Sequence, residues 1–162
     1  INWLNWNGDA LYAEDLTPFV ASLTNLRKRF SMLAHDRFIH SDDDESAVNI
    51  TWFHQSGFAM QKEHWHSHHA ATLGYLLQEK EPDSPTLLCL FHAGNEPIEF
   101  QLPDIDTIEH WQVAVDTASD TTTTDTSDSK SNSEQSEVRL IQAERMITMA
   151  PFSTIVLLND CL

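Results

Sequence analysis

Large apolar residues recur at intervals of three and four in the first part of the chain, whereas from Val48 onward they gather in short runs separated by Gly, Pro, Asp and Asn. The change marks a switch from helical to strand periodicity. Leu16, Phe19, Val20, Leu23, Leu26 and Phe30 fall on one stripe, which predicts a helix from about Asp15 to Arg29. Asp15 or Thr17 suits its cap, Pro18 its first turn, and Arg27, Lys28 and Arg29 oppose the negative end of its dipole. One helix cannot bury such a stripe alone. The stripe must pack on the domain that follows and, in unequal part, on something outside the chain.

The apolar runs predict strands at Val48 to Phe53, Thr72 to Leu77, Thr86 to His92, Ile98 to Leu102, Trp111 to Asp116, Val138 to Gln142, Met146 to Met149 and Thr154 to Leu158. Intervals this short leave no room for crossover helices. The expected architecture is mainly β, an antiparallel β-sandwich preceded by one helix. Between Ser119 and Glu137 the chain is a Thr, Ser and Asp tract without a large apolar residue, so it reads as a long polar, disordered loop within the sandwich. Asp42, Asp43, Asp44 and Glu45 read as a solvated joint between helix and strands.

Composition narrows the function. The formal net charge of −16 disfavours nucleic acid, whose affinity comes largely from Lys and Arg displacing counterions. No apolar run approaches the roughly 18 residues that span a bilayer, so no membrane partner is expected. Cys89 and Cys161 form neither a CxxC nor a disulfide framework, which fits a reducing cytoplasm. The chain opens on Ile1, and Lys and Arg are absent before Arg27. Neither a translation start nor a secretory signal is expected here, and the chain reads as part of a longer one.

Several blocks, in order, carry a resemblance: NWLNW at the start, LRKRF at the helix end, ITWFHQSGFAMQKEHWHSHHAATLGYLL, LLCLFHAGNEPIEFQLP, WQVAVDTA and APFSTIVLL. Together they resemble the C-terminal region of bacterial glycogen-debranching enzymes of the isoamylase-like branch of the α-amylase family. Gln55, Ser56 and Gly57 stand where that family usually has Pro-Asp-Gly, which keeps the glycine of the turn. The resemblance implies that residues 1–40 hold the last loop and helix of a catalytic (β/α)8 barrel and residues 41–162 the C-terminal sandwich. It implies hydrolysis of α-1,6 branch linkages in glycogen or limit dextrins by the whole enzyme, with α-glucan as substrate and the barrel as intramolecular partner.

Retaining glycosidases need a carboxylate nucleophile and an acid/base about 5 Å apart. The family takes these from earlier barrel loops, and no residue of this chain matches those motifs, so no catalytic residue is assigned and the segment is expected to be inactive alone. Trp3 and Trp6 lie where the family chain leaves the last barrel strand, which makes them candidate substrate-binding residues through stacking on sugar rings. Anchoring of the helix against the barrel is the plainer reading of the same indoles.

His64, His66, His68 and His69, with His54 nearby, raise a transition-metal site, but no second ligand pair has the usual spacing. The acidic run at Asp42 lacks the Gly and Glu that a calcium loop needs. No metal or other cofactor is expected. Trp52, Phe53, Trp65 and Trp111 sit in strand-like runs and are expected mostly in the core, with a surface glucan platform as the alternative. Besides a supporting domain of a debranching enzyme, two further classes remain: a stand-alone carbohydrate-binding module and a histidine-based metal carrier.

Overall fold

The computed structural model describes residues 13–34, 39, 46–67, 70–81, 84–119, 139–142 and 145–160. It is an antiparallel β-sandwich preceded by a helix. The elements are α1 (Ala13–Arg29), a short 3-10 turn (Ser31–Ala34), β1 (Val48–Phe53), α2 (Lys62–Trp65), β2 (Thr72–Glu79), β3 (Thr86–His92), β4 (Ile98–Gln101), β5 (His110–Asp116), β6 (Leu140–Gln142), β7 (Met146–Met149) and β8 (Ser153–Asn159). A six-stranded sheet runs in the order β1-β2-β3-β8-β5-β6, and β4 pairs with β7 in a second sheet. All described pairings are antiparallel, with Leu77 of β2 opposite Ile50 of β1 and Leu87 of β3.

Strand alternation sorts the side chains of the large sheet onto two faces. The inner face meets the β4–β7 pair, and there Phe53, Leu76, Leu88, Leu90, Trp111 and Leu157 pack with Phe100, Ile147 and Met149. Gly74 makes this layer possible, since a Cβ on it would lie 3.0 Å from Phe100 Cζ and 3.2 Å from Leu90 Cδ2. At Gly57 the backbone itself requires glycine: φ is +80°, and a Cβ would meet the Gln101 backbone oxygen at 3.0 Å. The turn that the sequence places at Gln55 to Gly57 therefore sits directly over β4.

The outer face holds Leu77, Leu87, Cys89, Val115, Val156 and Leu158. Phe30 and Met32, from the end of α1 and the 3-10 turn, are buried in this same cluster, with Phe19 and Leu26 half-buried against it. The helix stripe is thereby divided. With 3.6 residues per turn, Phe19, Leu26 and Phe30 form a row about 60° around the helix from Leu16, Val20 and Leu23. The first row lies on the sheet, whereas Leu16 and Val20 remain 57% and 50% exposed. Arg29 Nη2 donates to Asp160 Oδ2 at 2.6 Å, tying the helix end to the end of β8.

Several boundaries differ from the sequence expectation. The helix begins at Ala13, which moves Pro18 out of the first turn into the helix interior, where it cannot donate the usual backbone hydrogen bond. The Lys62–Trp65 turn, expected as part of a strand-like run, is helical; Gln61 N–H donates to His64 Nδ1 at 3.1 Å and closes its start. β5 carries a bulge between Val113 and Val115, so that Val113 opposes Leu157 while Val115 opposes Val156. The extra residue sends Val113 to the inner core and Val115 to the outer one. The acidic run at Asp42 to Glu45 and the stretch 120–138, which makes up nearly all of the polar tract, lie outside the described residues.

Candidate functional site

Among the described residues, the outer face of the large sheet is covered by α1 and the 3-10 turn at one end. Toward the other end it carries aromatic rings in sequence across three strands: Trp52 on β1, Tyr75 on β2 and Phe91 on β3. Trp52 and Tyr75 meet edge to face at 5.4 Å, and Tyr75 and Phe91 stack at 5.7 Å. Trp65, from α2 in the β1–β2 connection, joins the row through an edge contact with Trp52 at 5.7 Å. Such pairs hold rings in defined orientations and contribute about 0.5–1.5 kcal/mol beyond area burial.

Tyr75 also touches Cys89. Burial pushes the Cys89 thiol up to about 11, although its hydrogen bond with Tyr75 acts the other way. A thiol held protonated is a poor nucleophile at neutral pH. Cys89 is a core residue, and nothing in its surroundings makes it reactive.

Beside the aromatic row lies an open groove of about 630 Å³. Its walls are the β1–β2 connection with Trp65, the ends of β2 and β3, and the β7–β8 turn with Phe152. Trp65 is 51% exposed and Phe152 72%. Phe152 has φ of +52°, a left-handed backbone that side chains other than Gly, Asn and Asp seldom adopt. Its N–H donates to the Gly94 carbonyl at 3.1 Å, which joins the β7–β8 turn to the loop after β3. That loop is closed from within: His92 Nε2–H donates to the Glu96 carbonyl at 2.7 Å, and the ring lies where a Cβ on Gly94 would stand. His92 Nδ1 is buried and has no hydrogen-bond partner.

At α2 the imidazoles of His54 and His64 stack, with ring centroids 4.4 Å apart. Ser56 N–H donates to His54 Nδ1 at 3.3 Å and Gln61 N–H to His64 Nδ1 at 3.1 Å. Each Nδ1 is thus an acceptor, and each neutral ring carries its proton on Nε2. Burial, followed by the proximity of His64, lowers the pKa of His54 from its ordinary 6.5.

A family model described as "Isoamylase, C-terminal" matches residues 49–149, from β1 through β7. The chain belongs to that family. No curated protein matches it. The resemblance carried by the blocks from ITWF to WQVAVDTA is borne out at this level, and with it membership of an isoamylase-like glycoside hydrolase.

The aromatic candidates divide. Trp111 and Phe53 are buried in the inner core as expected, Trp52 is half-buried in the outer row, and Trp65 is exposed at the groove, contrary to a core assignment. Trp3 and Trp6, the candidate substrate-binding residues, lie outside the described residues. His68 and His69 do too, and His64 and His66 share a helical turn, not the strand face on which they were expected. His66 Nδ1–H donates to the Lys62 carbonyl at 2.7 Å. Among the described residues no three His, Cys, Asp or Glu side chains are placed to hold a metal ion, and no helix is long and apolar enough to cross a membrane. Phe152 was missed by sequence reasoning. Its only signal is the Pro151-Phe152 pair at a strand start, which does not reveal a positive φ.

Proposed function

We propose that this segment is the C-terminal sandwich of an enzyme that hydrolyses α-1,6 branch linkages in glycogen or limit dextrins in the cytoplasm, and that its own contribution is mechanical. The observation that carries the reading is the family match over residues 49–149. In this reading residues 1–40 are the last loop and helix of a catalytic barrel, Trp3 and Trp6 approach the cleft, and residues 41–162 brace that helix from the side away from the barrel. The divided stripe of α1 supports it, since Phe19, Leu26 and Phe30 use the sandwich while Leu16, Val20 and Leu23 keep an apolar row for a second body. The catalytic carboxylates belong to the barrel, and the 162-residue chain has no hydrolytic activity alone.

The test compares two proteins: this chain, and the longer polypeptide that carries it behind a barrel. The longer protein should release linear chains from glycogen and leave α-1,4 linkages intact, and this chain should release nothing. Hydrolysis by this chain alone, or uncut branch points after treatment with the longer protein, would overturn the reading.

A further inference from the structure

The groove between α2 and the β7–β8 turn is not accounted for by a purely mechanical role. Three observations single it out. Phe152 holds an exposed ring on a strained backbone, and strain of this kind, of order 1–3 kcal/mol, persists where the surroundings impose it and gathers at functional sites. Trp65 presents a second exposed ring, braced by Trp52 so that its orientation is fixed. The lining is also free of formal charge: in a chain with 25 acidic and nine basic residues, no Asp, Glu, Lys or Arg is among the described residues that form the groove.

Those features define the ligand's chemistry. A chain of net charge −16 repels anions, and among the described residues of the groove there is no carboxylate to pair with a cation's N–H groups. The exposed rings and uncharged polar groups suit a neutral molecule with flat apolar faces and hydrogen-bonding edges. Its volume lies within the range of small-ligand sites, roughly 300–1,000 Å³. Polar groups are present in the lining: the Thr154 side chain and the Nε2–H of His64. A hexose ring combines these properties, with C–H faces that stack on aromatics and hydroxyls along its rim.

We propose that this groove is an α-glucan-binding site, taking a linear α-1,4-linked segment across Trp65, Phe91 and Phe152. The choice of α-glucan over other neutral sugars rests on the debranching reading; the groove's chemistry does not. The site would hold one chain of a branched polymer on the sandwich.

Phe152→Gly is the decisive variant. Glycine adopts φ of +52° without strain, so the change removes the ring while easing the backbone, and the melting temperature should hold or rise. The 162-residue chain is titrated with maltoheptaose, binding being followed by Trp fluorescence and by calorimetry, with cellohexaose as the control for linkage. Maltoheptaose should bind, cellohexaose should bind less, and Phe152→Gly should weaken maltoheptaose by about tenfold. The same loss should appear in the longer polypeptide.

No binding to the chain, or binding unchanged by Phe152→Gly, overturns the proposal. So does a concentration-dependent dimer that Phe152→Gly abolishes, because the groove would then seat a second copy of the chain. Binding by this chain that vanishes in the longer polypeptide also overturns it, because the groove would then be covered by the barrel. The debranching reading fails separately: a longer protein that leaves branch points uncut can still carry a groove that binds maltoheptaose.

Discussion

Arg139 Nη1 donates to Asp116 Oδ2 at 3.3 Å, joining the end of β5 to the residue before β6. Val113 N–H donates to the Arg139 carbonyl at 3.0 Å, and Asp116 Oδ1 accepts from Ala118 N–H. The polar tract therefore leaves and re-enters the fold at one closed base between neighbouring antiparallel strands. Replacing residues 120–138 with a short Gly-Ser turn should keep cooperative melting and stabilise by about 1 kcal/mol through a smaller closure entropy. Thermal unfolding followed by circular dichroism reads this directly. Loss of the transition would place the tract in the core.

The lowered pKa of His54 sets a direction for pH dependence. Its folded form takes up a proton less readily than the unfolded chain, whose value is about 6.5. Above that pH nothing is lost, and as pH falls below it the unfolded chain binds protons first, so stability declines. His54→Asn keeps an acceptor for Ser56 N–H and removes the titration. Melting temperature measured from pH 8 to pH 5 should fall less in the variant than in the parent chain. Parallel curves would show that His54 does not contribute.

The two rows of α1 should respond in opposite ways to charge. Leu16→Glu with Val20→Glu adds carboxylates to an exposed row, so this chain should become more soluble with little change in melting temperature. Phe19→Glu with Leu26→Glu sets charge against the outer core and should cost several kcal/mol. If a catalytic barrel covers that row, as proposed above, the first pair should become destabilising in the longer polypeptide as well. Equal effects of both pairs in this chain would show that the helix does not discriminate between its rows.

Trp111 fills the inner core with its indole N–H buried and unpartnered. An unmade hydrogen bond of this kind costs about 1–3 kcal/mol. Trp111→Phe removes the orphan donor along with part of the ring, and the two effects oppose each other. It should therefore cost much less than Trp111→Ala, for which about 3–5 kcal/mol is expected. Urea titration measures both losses; because each variant lacks the N–H, a Trp111→Phe loss as large as that of Trp111→Ala would mean that relief of the orphan donor does not offset the lost ring atoms.

The helix and the strands were legible because their periods are enforced by burial: Leu87 to Leu90 run through a central strand, and Phe19 to Phe30 keep one apolar side. The turn glycine at Gly57 was legible for a different reason, since its positive φ admits few alternatives. What escaped depends on contacts distant in sequence. Val113 and Val115 look like neighbours on one face, and only the register against β8 reveals the bulge that separates them. Trp65 looks like core because it sits in a strand-like run, yet α2 lifts it onto the rim of the groove. Phe152 carries its information in a backbone angle, which composition does not encode.

Phe30 and Met32 precede the first strand by more than a dozen residues, but their side chains are buried with Leu77, Leu87 and Leu158. Chain order and cooperative unit therefore disagree. Cutting or recombining the polypeptide near residue 40 would separate two halves of one apolar cluster and leave the sheet's outer face bare. A transplantable module has to begin upstream, with the helix included, and homologous sandwiches could be exchanged only together with the helix that seals them.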